Sequence, residues 1–342
     1  MKAIVMQGEP GKASLVTDRP VPKPRPGYLL VEPRAVALNP TDWKHIHRMN
    51  TKGCLLGSDY AGVVIEPGTG YDKEWKIGDR LFGFVNGGNH DFPEDGSFAE
   101  KIIVKADIQM RIPDYMSFED ASTLGVGVIT CGQGLFQQMG LNSPDQPASN
   151  AKGEYILIYG GSSATGTLGI QLAKLAGYTP ITTCSARNFN LVTSLGAAAV
   201  FDYSDPECVT KIKQLTNNKL RLVWDTIASP ETAKFCTDCI VSGGTYGAIV
   251  RVKCPREDVK HTYSLGTTCF GEPVHKYGFH IEDTTKDFEF MKKWTSIIES
   301  LLEQRKLKVH PSRVGQGLES VLGGTEEVRL GKISGQKLVY TV

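Results

Sequence analysis

The sequence predicts an α/β protein in two domains, a β-rich module followed by a doubly wound parallel sheet. Three observations predict it. Residues 1–110 form short apolar runs broken by Pro and Gly, the pattern of strands and turns. From Glu154 onward apolar runs alternate with helical ones, which calls for a parallel sheet with helices on both faces. The length of 342 residues exceeds one minimal core and fits two domains.

Taken in order, the chain opens on the strand-like alternation Met1-Lys2-Ala3-Ile4-Val5. It lacks the apolar core and cleavage site of a secretory signal there, so a cytosolic protein is expected. Strands follow at 28–37, 62–66, 79–84 and 98–104, with few helices among them. At Ser117 the pattern changes: 117–120 gives a capped helix start and 121–139 runs apolar and small, opening the second domain. Residues 141–152 are rich in Ser, Pro and Asn and read as a surface loop. Strands at 155–159, 180–184, 199–201, 222–225 and 244–249 then alternate with helices at 167–176, 188–195, 208–215 and 229–240. A helix over 285–304 precedes a strand-rich tail, 313–342, expected to rejoin the first domain.

Composition narrows the function. Thirty-eight basic against thirty-seven acidic residues leave a net charge of +1 with no like-charge block, which argues against nucleic acid as a partner. No run of about 18 uncharged apolar residues is present to span a membrane. Eight scattered cysteines read as reduced, mostly buried thiols rather than a disulfide framework. Cys236-Thr237-Asp238-Cys239 falls within a capped apolar helix, so core thiols are the better reading of that C-x-x-C. His45-Ile46-His47 would place both rings on one side only in a strand, and Cys54 nearby brings no clear fourth ligand. No G-x-S-x-G elbow supports a serine hydrolase.

The strand 155–159 runs into Gly160-Gly161-Ser162-Ser163-Ala164-Thr165-Gly166 and then an apolar helix. Strand, tight turn and helix start bring backbone N–H groups and the positive helix end to a pyrophosphate. Read as G-x-G-x-x-G, the match is Gly161, Ser163 and Gly166, with serine for the middle glycine. The turn as a whole, Gly161, Ser162, Ser163, Ala164, Thr165 and Gly166, is the expected dinucleotide cradle. The next strand ends at Thr183-Cys184-Ser185, without the acid that binds the adenosine ribose in NAD enzymes. Ser185, Ala186, Arg187 and Asn188 follow, a hydroxyl and a guanidinium suited to a 2′-phosphate, so NADPH is expected over NADH. Arg187 read blandly is a solvated helix-start residue, and Tyr203 either closes over the adenosine phosphate or is a half-buried strand-end tyrosine.

Beside these features, Leu38-Asn39-Pro40-Thr41-Asp42, Gly57-Ser58-Asp59-Tyr60-Ala61-Gly62 and Gly78-Asp79-Arg80 resemble the medium-chain dehydrogenase/reductase superfamily over nearly the whole chain. In detail the chain is most similar to the fungal trans-acting enoyl reductases that serve polyketide synthases, of the lovastatin enoyl reductase type. The stretches that carry this are Tyr159-Gly160-Gly161-Ser162-Ser163-Ala164-Thr165, Thr183-Cys184-Ser185 with Asn188-Phe189, Val200-Phe201-Asp202-Tyr203, Phe270-Gly271-Glu272 and Ser334-Gly335-Gln336-Lys337-Leu338-Val339. The resemblance implies a GroES-like catalytic domain, 1–118 completed by 277–342, and a Rossmann NADPH-binding domain, 119–276. It also implies a zinc-free enzyme. Zinc-dependent members carry Cys where this chain has Asn39 and His-Glu where it has Ser58-Asp59, and their structural zinc loop needs four cysteines in a region, 85–98, that has none here.

Without zinc, the chemistry implied is hydride addition from NADPH to the β-carbon of an electron-poor alkene, giving an enolate to be stabilised and protonated. The resemblance places Thr41, Asp42, Trp43 and Lys44 beside the cofactor, with Lys44 donating a hydrogen bond or proton at the reacting centre. Base rates alone favour an exposed lysine; its place within 39–44 reverses them. Trp43 departs from relatives that carry a smaller residue. Gly127, Val128, Ile129 and Thr130 fall on the substrate side, and Thr130 either bonds the thioester carbonyl or its own helix backbone. Leu124-Gly125-Val126-Gly127-Val128 departs from relatives with Pro after the Leu, which leaves the pocket shape open. Thr268, Cys269, Phe270, Gly271 and Glu272 are expected to wall the acyl pocket, and Ile249, Val250, Ile333 and Ser334 to edge the nicotinamide or its ribose. The expected substrate is an α,β-unsaturated acyl thioester on a polyketide synthase acyl carrier domain. A quinone or enone reductase acting on free small molecules is the alternative, and a non-catalytic NADPH-binding protein a third. Oligomeric state is open, a monomer included.

Overall fold

The computed structural model describes residues 1–49, 51–147, 153–276 and 278–342. Its chain divides into two compact units: Met1–Val126 with Thr267–Gln304 and Val309–Val342, and Gly127–Gly266 with Arg305–Lys308. Part of the expected surface loop, 148–152, lies outside the described residues.

The first unit opens with the antiparallel hairpin of β1 (Ala3–Met6) and β2 (Ala13–Val16). β3 (Tyr28–Ala37) follows, a long strand buried on both faces except at Glu32 and Arg34. Helix α1 (Pro40–Arg48) interrupts the β-rich stretch. Pro40 stands at its first turn, and the Asn39 amide donates to Asp42 Oδ2 at 2.7 Å, one half of a capping box. Strands β4 (Asp59–Glu66), β5 (Arg80–Phe84), β6 (Ile102–Lys105) and β7 (Met110–Arg111) complete the stretch. β4 starts three residues earlier than the pattern predicts, because Asp59 to Ala61 pair with Phe84 to Phe82 across β5. Ser117 caps α2 (Phe118–Ser122), its Oγ accepting the Asp120 amide at 3.0 Å.

The single helix expected over 121–139 is three pieces: α2, α3 (Gly125–Cys131) and a π-helical stretch, Gly132–Gln138. Gly125, Gly127, Gly132 and Gly134 weaken a continuous helix, and Asp59 Oδ1 accepts the Val126 amide at 2.6 Å, restarting the chain there. α2 packs on β3, β4 and β5, so the first unit reaches Val126 rather than ending at 118. The second junction likewise falls at 266/267, ten residues before the expected 276/277, because Phe270 and Glu272 pack on residues of the first unit.

The second unit alternates β8 (Tyr155–Tyr159), α4 (Ala164–Leu175), β9 (Thr179–Thr183), α5 (Phe189–Ser194), β10 (Ala199–Phe201), α6 (Cys208–Leu215), β11 (Leu222–Asp225), α7 (Pro230–Cys239), β12 (Thr245–Ala248) and β13 (Lys260–Tyr263). The sheet is parallel throughout, ordered β10-β9-β8-β11-β12-β13. β13 is the strand the sequence does not announce. At the edge it needs no apolar run, and Lys-His-Thr-Tyr suffices. The chain winds outward from β8, then returns to place β11 on its other side, so the winding direction reverses between these two strands.

The chain returns to the first unit with the hairpin of β14 (Val274–Lys276) and β15 (Phe279–Ile281), the long helix α8 (Thr285–Glu303), β16 (Ser312–Gln316), α9 (Val321–Arg329) and β17 (Lys337–Thr341). β17 pairs antiparallel with β3 and parallel with β16, giving a sheet ordered β16-β17-β3-β4-β5-β7 with β6 also on β3. The tail is therefore two strands and a helix rather than strands alone. No helix among the described residues is long and apolar enough to cross a membrane.

Candidate active site

In the second unit, β8 ends at Tyr159 and the chain turns into α4. Gly160 takes φ +76°, a left-handed conformation that suits glycine. A Cβ on Gly161 would lie 1.9 Å from Thr182 Oγ1, and one on Gly166 2.4 Å from the Gly160 carbonyl oxygen, so helix and turn pack too closely for side chains. Ser163, the substitute for the middle glycine, is the N-cap of α4. Its Oγ accepts the Gly166 amide at 3.0 Å and lies 3.0 Å from Thr226 Oγ1. Thr226 Oγ1 donates to the Tyr159 carbonyl at 2.8 Å, so Ser163 supplies the proton of the bond between the hydroxyls. Ser162, Ala164 and Thr165 stay half-exposed. Helix geometry leaves the first amides of α4 without intrahelical acceptors, and the dipole favours an anion there. The turn stands at the carboxyl end of β8, where the winding reverses and open parallel sheets take their ligands.

Beyond β9, Ser185 Oγ and Tyr203 Oη are 3.1 Å apart. Ala186 and Arg187 are exposed, and Asn188 is buried. Tyr203 is 49% exposed rather than half-buried in the strand end. Asp202, which the sequence marks only as part of a family stretch, stands beside this group and takes a hydrogen bond from the Ala186 backbone. Its carboxylate accepts the Ser204 hydroxyl at 2.6 Å and the Ser204 amide at 2.9 Å, and these bonds hold it below the usual carboxylate range. Ile249 is half-buried and Val250 exposed past the end of β12. Gly127, Val128 and Ile129 are buried on α3, with Thr130 half-buried beside them. A Cβ on Gly127 would lie 2.7 Å from Leu168 Cδ1, so glycine there lets α3 approach α4.

In the first unit, α1 carries Thr41, Asp42, Trp43 and Lys44. Asp42 is fully buried, with Oδ2 taking the Asn39 amide and Oδ1 the Ser58 hydroxyl at 3.1 Å. Burial pushes its carboxyl up to about 7. Both oxygens are committed inside the unit, so the carboxylate acts as a cap of α1. Thr41 Oγ1 lies 3.2 Å from His45 Nε2, one helical turn on. Lys44 is half-buried, with its amine 5.8 Å from the centre of the Trp43 ring and Arg48 6.0 Å from the same ring. Burial first and Arg48 second hold the Lys44 amine below its usual value. The helix also separates the two histidines read as a possible metal pair: His45 is buried and His47 exposed.

Behind α1 lies a residue that the sequence marks only as part of a family stretch, with no role of its own. Lys337 Nζ, on β17, donates to Asn39 Oδ1 at 3.0 Å, to the Thr123 carbonyl at 3.2 Å and to Asp59 Oδ2. Asn39 Nδ2 also donates to Asp59 Oδ2, at 2.8 Å. A lysine opening an apolar strand offers no signal to find it by.

The segment expected to wall an acyl pocket is held firmly within the first unit. Thr268 donates to Asp287, Cys269 is fully buried and the Phe270 ring lies 5.1 Å from Phe84. Gly271 has φ +69°. Glu272 accepts the Tyr28 hydroxyl at 2.6 Å, with Lys105 at 3.5 Å and Arg25 at 3.6 Å. Its carboxylate thus anchors the segment, and Cys269 packs in the core beside it. Ile333 is half-buried against the core below β17 and Ser334 is exposed.

Residues 25–114 match the family described as alcohol dehydrogenase GroES-like domain, and residues 164–262 that described as zinc-binding dehydrogenase. The trans-enoyl reductase resD of Aspergillus sclerotiorum is 44% identical over the full length of both proteins. The trans-enoyl reductase TOXD of Cochliobolus carbonum is 51% identical over 79% of this chain and 91% of its own length. The chain belongs to the trans-enoyl reductases of the medium-chain dehydrogenase/reductase superfamily. It is an oxidoreductase of the enoyl-reducing kind, built from a GroES-like and a Rossmann fold. Among solved structures, an alcohol dehydrogenase superfamily protein from Novosphingobium aromaticivorans superposes with TM-score 0.81 at 21% identity over 100% of this chain and 99% of that one. CurK enoyl reductase does so with TM-score 0.78 at 16% identity over 99% of both, and these two matches speak for the fold.

The name of the second family raises the question of zinc. Asn39, Ser58 and Asp59 offer an amide, a hydroxyl and one carboxylate, without the Cys or His ligands that hold a catalytic zinc. The Lys337 ammonium already bonds Asn39 and Asp59. A divalent cation among these donors would face a buried like charge, so the residues present do not fit it.

Proposed function

We propose that the protein is an NADPH-dependent, zinc-independent enoyl reductase acting in trans on the α,β-double bond of a polyketide acyl thioester. Full-length relatedness to trans-enoyl reductases carries the reading. Support for zinc independence is the Lys337 ammonium among the donors of Asn39 and Asp59.

Bound NADPH supplies the hydride that adds to the β-carbon. In this reading the unit Gly127–Gly266 holds it, with the amides at the start of α4 on the pyrophosphate and Ser185 and Arg187 on the 2′-phosphate. As the new C–H bond forms, the alkene electron pair moves toward the thioester carbonyl and the oxygen gains enolate charge. Thr130 donates to that oxygen. Lys44, on α1, donates to the developing enolate and passes a proton to the α-carbon, and its weakened hold on that proton favours the transfer. The expected setting is the cytosol and the expected partner a polyketide synthase acyl carrier domain.

The test is a turnover panel: crotonyl-type pantetheine thioesters and quinones, each with NADPH and NADH, before and after dialysis against a chelator. Rapid NADPH oxidation with the thioesters, unaffected by the chelator, is expected. A preference for quinones would make the protein a reductase of free small molecules, and stoichiometric zinc in the active protein would overturn zinc independence. Tight NADPH binding without turnover of either class would make it a binding protein.

A further inference from the structure

We propose that Lys337 is a positioning residue for Lys44, setting the start of α1 through Asn39 and Asp59. The proposal rests on Lys44 as the group beside the reacting centre. Lys337 is 4% exposed, Asn39 6%, and Asp42 and Asp59 are fully buried, all within the first unit. An ammonium has three protons, and here three acceptors meet them: Asn39 Oδ1, the Thr123 carbonyl and Asp59 Oδ2. With Asn39 Oδ1 taken, its Nδ2 must face Asp59, which fixes the amide the right way round. Asn39 is the residue before α1, and its backbone amide is held in turn by Asp42 within the first turn. The helix start is therefore clamped on its side chain and on its backbone, and Lys44 follows one turn later.

The second oxygen of Asp59 serves another element. It accepts the Val126 amide at 2.6 Å, and a Cβ on Gly125 would lie 2.5 Å from that oxygen, so glycine at 125 gives the carboxylate its path. One ammonium thus joins the last strand, the start of α1, β4 and the chain at Thr123 and Val126. Replacing a buried ion pair by neutral groups of similar size is often without cost to stability, so what the pair contributes here is geometry.

The experiment compares Lys337→Met with the double variant Lys337→Met/Asp59→Asn. The single change leaves Asp59 a buried unpaired charge, and a lowered melting temperature is expected. The double variant removes both charges and is expected to melt close to the parent. Its thioester turnover is expected to stay about tenfold to a hundredfold down, the loss typical of a displaced catalytic group, with NADPH affinity unchanged. A second readout needs no turnover. Trp43 is the one half-exposed tryptophan, since Trp75, Trp224 and Trp294 are 6% exposed or less, so acrylamide quenching of tryptophan fluorescence reports on α1. The double variant is expected to quench more readily than the parent. Parental turnover and parental quenching in the double variant would overturn the proposal and leave Lys337 a stabilising residue only. If the unaltered protein reduces no enoyl thioester, the functional reading falls, while the quenching comparison still decides whether Lys337 places α1.

Discussion

Lys44 shows how far a single side chain is legible before its surroundings are known. Its place six residues into a recognisable segment marks it in the sequence, and its half-buried setting beside Trp43 and Arg48 supplies the physical reason for a weakened hold on its proton. Lys44→Ala is expected to lower kcat about a hundredfold, within the usual range for a lost proton donor, with NADPH affinity nearly intact; steady-state kinetics and cofactor titration separate the two. Arg187 is exposed and follows Ser185, whose Oγ lies 3.1 Å from Tyr203 Oη, by two residues. Arg187→Ala is expected to weaken NADPH by about 1.5–3 kcal/mol, the usual worth of a hydrogen bond to a charged group, with little effect on NADH. No loss for either cofactor would return Arg187 to the role of a solvated surface residue, and equal losses for both would mean that it does not read the 2′-phosphate. The ribose-binding pattern asks for an acid at the end of β9, whereas Asp202 comes just after β10.

Among the elements, α4 and α1 are where a local rule and a tertiary demand meet. Ser163 looks like a defect in a glycine motif, yet it is among the best residues for an N-cap, and its hydroxyl ties α4 to Thr226 after β11. Ser163→Ala is expected to cost about 1 kcal/mol of stability, measured by urea unfolding. Farther along α4, a Cβ on Gly169 would lie 2.6 Å from Cζ3 of the fully buried Trp224. Gly169→Ala is therefore expected to destabilise by about 1–3 kcal/mol through overpacking, despite the better helix propensity of alanine; a rise in melting temperature would refute this. For α1 the pattern misleads, since the alternation His45-Ile46-His47 imitates a strand. The Asn39-Pro40-Thr41-Asp42 start was the stronger signal, because capping acts on the backbone directly while a three-residue alternation fits either period.

At the level of the whole molecule, the first unit buries charges whose cost varies with pH. Asp42 is pushed by burial from 3.8 up to about 7. Between those values the folded chain keeps a proton that the unfolded chain has released, so this contribution to stability falls as pH rises from about 4 to 7. Lys276 is also buried, with its amine donating to the Gly87 carbonyl at 2.8 Å and to Asn86 at 3.2 Å. Burial drives it from 10.5 down to about 7, against the partial restoring pull of Cys54, Asp42 and Asp95. Here the unfolded chain holds the extra proton, so stability gains as pH rises from about 7 toward 10.5. Urea unfolding between pH 7 and 10 is expected to show the parent gaining on Lys276→Met as pH rises. Parallel curves would mean that Lys276 keeps its ordinary affinity for a proton.

The doubly wound sheet and the turn from Gly160 to Gly166 were determined by the sequence itself, because both follow from local rules: apolar periodicity sets strand or helix, and a tight turn excludes side chains within a few residues. The edge strand β13, the break between α2 and α3 and the anchoring of Glu272 were decided only in three dimensions. The clearest case is Lys337, which lies 278 residues from Asp59 and 298 from Asn39 along the chain. Buried charge pairing depends on what folding brings together, and it leaves no period, spacing or composition from which a sequence reader can recover it.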